Sequence, residues 1–316
     1  MYQVKSPILF LAFNRLDTTI PVFEKIASVQ PHRLYIACDG AREKKGEAEA
    51  VEKVRNWLLH RIDWPCDVQT LFREENLGCR NAVSGAINWF FEHEERGIIL
   101  EDDCLPETSF FKFCDELLEK YDTTPDVMSI GGTNYLDNHP GYPESYHFSN
   151  YFHCWGWATW RRAWSKYDVT LSRWPAFKNN HGLSGLPHSN FVFNRYWKRT
   201  LDLVYNGRIN TWDYQMAFTV WAEGGVCIAP AVNMIRNIGF SESATHTIDE
   251  DHKHANRKSA EIPFPLQHPN TTKPNVILDK KENTLCFEMS LVTEMKELLR
   301  PRLSKVKRNV MNRFAK

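Results

Sequence analysis

The sequence lacks a long apolar run and has no excess of charge of one sign. Its 316 residues include 39 Lys plus Arg and 39 Asp plus Glu, so the overall charge does not favour a nucleic-acid partner. The apolar run 7–13 is too short to cross a bilayer, and Asn14 and Arg15 interrupt it. No small-residue cleavage site follows it. We therefore expect this run to be a first buried strand, and not a membrane span or secretory signal.

The sequence also lacks a cysteine framework, internal repeats and low-complexity tracts. Its eight cysteines form no CxxC pair and follow no regular spacing. In a chain of this size they are expected to be buried, reduced thiols, which favours a cytoplasmic location. The length allows a large core, either in one α/β domain or in two smaller ones.

Apolar periodicity predicts alternating strands and helices in the first 130 residues. The predicted strands are 8–12, 34–38, 68–72, 98–100 and 127–130, and the predicted helices are 18–28, 43–61, 80–93 and 110–121. This alternation is typical of a parallel sheet with right-handed crossovers, and hence of an α/β fold. Later segments predict loops at 134–150 and 172–189, helices at 157–164, 191–205 and 212–222, and a strand at 226–228.

Polar residues follow four of the predicted strands. They are Asn14-Arg15, Asp39-Gly40, Glu74-Glu75-Asn76 and Glu101-Asp102-Asp103. Since ligands of parallel α/β sheets bind beyond the carboxyl ends of the strands, these residues predict a binding site there. Each one alone is also consistent with ordinary loop chemistry.

The segment Glu101-Asp102-Asp103 carries the strongest chemical signal. Three consecutive carboxylates repel one another unless a cation neutralises them, and oxygen ligands suit Mg²⁺ or Mn²⁺. The alternative is an acidic helix start, in which Thr108 or Ser109 caps the helix 110–121.

Four short segments resemble the nucleotide-sugar-dependent glycosyltransferases of the GT-A fold. Glu101-Asp102-Asp103 is similar to the EDD metal motif of the N-acetylglucosaminyltransferases that start complex N-glycans. Residues 76–82 resemble the NxGxxxA stretch of bacterial family-two glycosyltransferases. Residues 11–15 and 37–40 resemble the first two strand ends of the fold. At the level of motifs, the resemblance extends over residues 5–245, and it implies a mostly parallel central sheet flanked by helices.

The resemblance implies a UDP-sugar donor held by a divalent ion, Mn²⁺ or Mg²⁺. The metal ligands would be Asp103 and His246. Asp39 would accept a hydrogen bond from uracil, and Asp102 would contact the ribose. The donor-binding residues would be Asn14, Arg15, Asp39, Asn76, Gly78, Arg80, Glu101 and Asp102. For Arg15 and Arg80, a surface salt bridge is the alternative.

A second region resembles the acceptor side of these enzymes. Residues 154–160 are similar to the Gly-Trp loop, and residues 210–215 to the segment with the catalytic base. Asp213 would then remove the proton of the acceptor hydroxyl; the alternative is an N-cap of helix 214–222. Because the predicted helix 157–164 cannot bury every ring, one or two of its tryptophans are expected to stack on sugar. The acceptor-binding residues would be Trp155, Gly156, Trp157 and Trp212.

Together these features predict two halves of one GT-A domain, residues 1–135 for the nucleotide sugar and residues 136–250 for the acceptor and catalysis. Residues 251–316 would form a wrapping segment and a basic helical tail. From residue 300 the tail carries only basic charges, which predicts either peripheral membrane contact or a helix packed on its own domain.

The implied function is metal-dependent inverting transfer from a UDP-sugar, with UDP-N-acetylglucosamine as the candidate, to a glycan or lipid-linked saccharide in bacterial surface polysaccharide synthesis. One alternative is a sugar nucleotidyltransferase, whose glycine-rich loop is absent after the first strand. The other is a non-catalytic carbohydrate-binding or membrane-active protein, in which the tryptophans and the basic tail would act.

Overall fold

A computed structural model describes residues 2–136, 143–240, 254 and 257–296, and its first part alternates strands and helices. In chain order these are β1 (Ile8–Ala12), α1 (Leu16–Ser28), β2 (Arg33–Cys38), α2 (Glu47–His60), β3 (Asp67–Phe72), α3 (Gly78–His93), β4 (Arg96–Glu101), β5 (Cys104–Pro106), α4 (Thr108–Lys120) and β6 (Val127–Gly131). The predicted alternation is confirmed. Helix α2 begins four residues later than predicted. The residue before it, Gly46, has a φ of 80°, and this left-handed conformation keeps the helix from extending further towards the N-terminus.

The second part of the chain departs further from the predicted pattern. Its elements are β7 (Tyr146–Ser149), β8 (Trp157–Trp160), α5 (Arg161–Trp164), α6 (Trp174–Asn179), α7 (Phe191–Tyr205), α8 (Asp213–Ala222), β9 (Val226–Pro230), β10 (Ile235–Asn237) and α9 (Val276–Leu285). Helix α7 is confirmed at both ends. Strand β7 lies in a predicted loop, and α6 lies in the predicted loop 172–189.

The prediction of one helix over residues 157–164 is wrong. Residues Trp157–Trp160 form strand β8, which pairs antiparallel with β4 on one side and β6 on the other. All four of its residues are buried. The strand therefore lacks the alternation of apolar and polar residues along the sequence that identifies a half-buried strand. Only Arg161–Trp164 is helical.

The strands form one large sheet in the order β3-β2-β1-β4-β8-β6-β9-β7. Neighbours pair in parallel from β3 to β4 and between β6 and β9, whereas β8 and β7 are antiparallel to their neighbours. A small second sheet joins β5 to β10. The predicted fold class, an α/β fold with a mostly parallel central sheet, is confirmed, and it is the arrangement that the GT-A resemblance implied.

Helices cover both faces of the sheet, because successive side chains of a strand point to opposite sides. Ile8 and Phe10 of β1 pack in a core with residues of α1 and α4. Leu9 and Leu11 pack in a second core with residues of α3, α7 and α8. Packing in these two cores keeps the central strands in a fixed register relative to one another.

That register aligns the carboxyl ends of the first four strands. Leu11 of β1 lies opposite Glu101 of β4, and Ala12 lies opposite Cys38 of β2. Cys38 in turn lies opposite Phe72 of β3. The polar residues that follow these strands therefore come together at one edge of the sheet.

No helix in the described ranges is long and apolar enough to cross a membrane. All eight cysteines lie within those ranges, and none of them forms a disulfide there. The basic tail from residue 300 lies outside the described residues. The division of the chain at residues 135 and 250 stays a prediction.

Candidate active site

A cavity of about 960 Å³ opens at the carboxyl edge of the sheet. Its volume is at the upper end of the range of small-molecule sites, about 300–1,000 Å³. Residues that follow the first four strands line one side, and the start of α8 lines the other. The predicted site residues that line it are Arg15, Asp39, Asn76, Gly78, Glu101, Asp102, Asp103, Trp155, Trp212 and Asp213.

The carboxylates that follow β4 are held by a single guanidinium. Arg15 donates to Asp102 at 3.0 Å and to Asp103 at 2.7 Å. The other oxygen of Asp102 accepts from the backbone N–H of Phe13 at 3.1 Å. The Asp102 side chain is 9% exposed and that of Asp103 is 18% exposed, so Asp103 is the more accessible from the cavity.

Negative charge is concentrated at this point. Burial is the largest cause that raises the pKa of Glu101 well above its ordinary value, and the charges of Asp103, Asp102 and Asp213 add to it. Burial also raises the pKa of Asp102 to about 6, although the nearby Arg15 opposes that shift. Several carboxylates close together disfavour one another's charge, and a divalent ion at Asp103 fits this set of oxygen ligands. Mg²⁺ is commonly bound by one or two carboxylates, with phosphate oxygens completing the shell.

The chain passes directly over Asp103 at Gly239, just after β10. The Arg15 guanidinium donates to the carbonyl oxygen of Gly239 at 3.3 Å. A Cβ atom on Gly239 would overlap the Asp103 carboxylate, so only glycine allows this approach. The segment after β10 therefore closes one side of the carboxylate cluster. His246, the other predicted metal ligand, lies outside the described residues, and its role stays a prediction.

Asp39 joins β2 to the start of α3. Its carboxylate accepts hydrogen bonds from the backbone N–H of Leu77, at 3.0 and 3.1 Å, and of Gly78, at 3.1 Å. Asn76 donates from its side chain to the carbonyl oxygen of Gly40 at 2.7 Å. Gly78 has a φ of 74°, a left-handed conformation that favours glycine. A carboxylate has about four acceptor positions, so Asp39 can cap α3 and still accept from a ligand.

Two predicted donor-binding residues are outside the lining that the described residues form. The side chain of Asn14 donates to Glu47 at 3.0 Å and so connects β1 to the start of α2. The guanidinium of Arg80 donates to the carbonyl oxygen of Ile209 at 2.6 Å. Arg80 therefore holds the loop before α8, and contact of Asn14 and Arg80 with the donor stays a prediction.

Three arginines line the cavity that the sequence did not single out: Arg42, Arg73 and Arg208. Arg42 forms an ion pair with Glu47 at 2.6 Å and lies over the Phe13 ring, 5.2 Å from its centroid. Arg73 directly follows β3. Its position at a strand end, directly before Glu74, Glu75 and Asn76, is the signal for it in the sequence. Fixed positive charges of this kind suit a diphosphate.

Asp213 also lines the cavity, in the first turn of α8. The hydroxyl of Thr211 donates to its Oδ1 atom. The N-cap position belongs to Trp212, so the alternative in which Asp213 caps this helix is wrong. The charge of Asp213 contributes to the raised pKa of Glu101, so these two carboxyl groups interact electrostatically.

The predicted tryptophan wall is present only in part. Trp155 and Trp212 line the cavity, whereas Trp157, Trp160 and Trp164 are each at most 3% exposed. The prediction that one or two of these three rings stack on sugar is therefore wrong. Trp157 packs against the Trp212 ring, with the centroids 5.7 Å apart, and supports the wall from behind.

Gly156, also predicted on the acceptor side, has a packing role. It has a φ of 60°, and its Cβ position would collide with the Ile235 side chain. Its carbonyl oxygen accepts from the backbone N–H of Gly132 at 2.8 Å. Gly156 is not part of the lining that the described residues form.

The Asp39→Ala variant is expected to unfold more easily, because it leaves the backbone N–H groups of Leu77 and Gly78 without their acceptor. We expect the free energy of unfolding to fall by about 1–3 kcal/mol, measured by urea denaturation. The control is Glu75→Ala, an exposed side chain in the same turn. Equal stability of the two variants would show that Asp39 does not cap α3.

No protein-family model matches the chain, and no curated protein matches it. Among solved structures, mouse xyloside xylosyltransferase 1 is 13% identical, with a TM-score of 0.32, over 70% of this chain and 82% of that one. The glycosyltransferase GlyE of Streptococcus pneumoniae is 10% identical, with a TM-score of 0.32, over 57% of this chain and 40% of that one. A cytidylyltransferase from Leptospira borgpetersenii is 12% identical, with a TM-score of 0.33, over 52% of this chain and 63% of that one. These similarities are too low to identify a reaction, so the chemistry has to be argued from the residues of this chain.

Proposed function

We propose that the chain is a metal-dependent inverting glycosyltransferase. The donor is a UDP-sugar, with UDP-N-acetylglucosamine as the first candidate. The acceptor is a glycan or a lipid-linked saccharide of bacterial surface polysaccharide synthesis. The observation that carries the proposal is the shared cavity, which has Asp103 beside the fixed charge of Arg15 on one side and Asp213 on the other.

The donor half of the cavity has the charges and hydrogen-bonding groups that a nucleoside diphosphate requires. Asp39, which also accepts from the first N–H groups of α3, has acceptor capacity left for the N–H of the base. Arg15 and Arg73 provide fixed positive charge for the diphosphate. Asp103 is the ligand for Mn²⁺ or Mg²⁺, which when bound supplies the positive charge that neutralises the departing UDP.

The acceptor half has the base that an inverting reaction requires. The hydroxyl oxygen of the acceptor attacks the anomeric carbon of the sugar, and the bond from that carbon to the diphosphate oxygen breaks. The hydroxyl proton passes to Asp213, and UDP leaves with the bonding electron pair. The hydrogen bond from Thr211 holds one oxygen of Asp213 in place. Trp155 and Trp212 provide apolar surface on which a sugar ring can stack.

A panel of nucleotides and nucleotide sugars, with and without Mn²⁺, tests this function by thermal shift. At a ligand concentration of 100 Kd, binding to the native state stabilises it by about 2.7 kcal/mol. We expect UDP and UDP-sugars to raise the melting midpoint only when Mn²⁺ is present. No shift with any uridine nucleotide would contradict the proposal.

The same panel separates the alternatives. A sugar nucleotidyltransferase would bind a nucleoside triphosphate and release pyrophosphate when a sugar phosphate is added. A carbohydrate-binding protein would be stabilised by oligosaccharides alone. A glycosyltransferase instead releases UDP from a UDP-sugar, and release that increases with a saccharide acceptor identifies transfer.

A further inference from the structure

Helix α9 presents an unusually polar face to the interior. Asp279, Glu282 and Asn283 are each at most 5% exposed. Together with Cys286 they occupy positions i, i+3, i+4 and i+7, which share one side of a helix. This side packs against the segment 149–153, which follows β7. Polar groups at such an interface cost free energy unless they are paired.

Hydrogen bonds connect several polar groups in the first part of this interface. Asp279 accepts from the Ser149 hydroxyl at 2.7 Å and from the Asn150 backbone N–H at 3.1 Å. The hydroxyl of Tyr151 donates to the side chain of Asn283. These contacts fix the position of α9 along the segment 149–153. They therefore determine which side chains meet at the C-terminal end of the helix.

At that end His153, Glu282 and Cys286 come together. His153 and Glu282 are 8% and 2% exposed, and the imidazole Nε2 contacts a Glu282 oxygen. One ligand atom from each of the three residues lies within 4.8 Å of the other two. Bonds of about 2.0–2.3 Å to a tetrahedral ion place ligand atoms about 3.3–3.8 Å apart, so side-chain movements of about 1 Å suffice.

We propose that His153, Glu282 and Cys286 bind a divalent transition-metal ion, and that Zn²⁺ is the ion this ligand set favours. Sulfur, imidazole nitrogen and a carboxylate oxygen are the three kinds of Zn²⁺ ligand in proteins. On binding, the thiol of Cys286 loses its proton to solvent and His153 coordinates as the neutral imidazole. A fourth coordination position remains for water.

This site differs in chemistry from the carboxylate cluster at the end of β4. That cluster offers oxygen alone, which suits a hard ion, whereas the α9 site adds sulfur and nitrogen. His153 lies two residues before Trp155, which lines the cavity. A metal ion bound to His153 therefore connects α9 to the segment that carries Trp155.

The purified full chain, free of any histidine tag, tests the site by its metal content after dialysis against metal-free buffer. We expect about one Zn²⁺ per chain in the parent protein, and a loss of most of it in Cys286→Ser and in His153→Ala. The matched control is Cys66→Ser, which removes a half-buried thiol between α2 and β3 and is expected to keep the metal.

Cobalt substitution identifies the ligands directly, because a thiolate bound to Co²⁺ gives a charge-transfer band in the near ultraviolet. The band is expected in the parent and in Asp103→Asn, and it should disappear in Cys286→Ser. If that variant does not fold, Cys286→His should retain Zn²⁺ and lose the band. A folded parent without the band, or a band that persists in Cys286→Ser, overturns the proposal. Neither result would affect the proposed glycosyltransferase activity, which depends on the other cluster.

Discussion

The Asp213→Asn variant is expected to bind UDP-sugars with nearly the affinity of the parent protein and to transfer sugar about 10²- to 10⁴-fold more slowly. Asn has the shape of Asp and keeps an acceptor for the Thr211 hydroxyl, but it cannot take up the proton of the acceptor hydroxyl. The measurement is turnover on purified protein, together with UDP-sugar affinity and the melting midpoint.

Stability should change little in this variant. Asp213 lies in the first turn of α8, where a negative charge contributes about 0.3–1 kcal/mol through the helix dipole. The N-cap position of α8 belongs to Trp212, and not to Asp213. A large loss of stability would instead indicate a structural role.

Glu223→Gln is the matched control, because Glu223 directly follows the other end of α8. Its carboxylate pairs with Lys166 at 2.9 Å and Arg173 at 2.6 Å, and it is outside the cavity lining that the described residues form. Asp202 of α7 pairs with Lys178 at 2.7 Å and also lies outside that lining. If Asp213→Asn is active and Glu223→Gln is inactive, the catalytic base is Glu223 and not Asp213.

The Asp103→Asn variant is expected to lose metal-dependent binding of UDP. The amide keeps the shape of the side chain but removes the negative charge that holds the ion. Because replacing even an outer partner of a metal ligand costs about 10- to 100-fold in metal affinity, we expect a loss of at least about 100-fold for the ligand itself. Isothermal titration of UDP, with Mn²⁺ and with a chelator, measures the effect.

The ion pair with Arg15 requires a control, since Asp103→Asn also removes a 2.7 Å contact to that guanidinium. The melting midpoint of the variant without nucleotide or metal reports on the loss of this contact alone. Asp126→Asn, an exposed carboxylate just before β6, controls for charge in general. An unchanged Mn²⁺ dependence in Asp103→Asn would mean that the cluster has a structural role.

The α/β fold followed from the sequence because its signals are local. Apolar runs of strand length, separated by amphipathic helices, specify a parallel sheet without any knowledge of long-range contacts. The same topology brings the ends of parallel strands to one edge, so Arg15, Asp39 and Asp103 were expected to meet and do line one cavity. The carboxylates after β4 were recognisable because three consecutive acids rarely follow a buried strand without a charge-related reason.

The direction of individual side chains was decided only by the tertiary structure. Arg80 lies on the predicted helix, yet its guanidinium reaches Ile209, which long-range packing brings next to α3. Arg73 lines the cavity, whereas Arg80 is not part of the lining that the described residues form. The periodicity of a helix or strand determines which face a residue occupies, but the partner beyond that face depends on distant chain segments.

The sequence by itself determined the order of strands and helices in the first part of the chain, and the sheet edge at which their polar residues meet. The tertiary structure decided that Trp157–Trp160 enters the sheet between β4 and β6, which buries the rings expected on sugar. It also decided that His153 meets Glu282 and Cys286. The physical reason is the range of the interactions. Local periodicity encodes burial and secondary structure, whereas a buried antiparallel strand and a site assembled from distant segments arise only when the whole core packs.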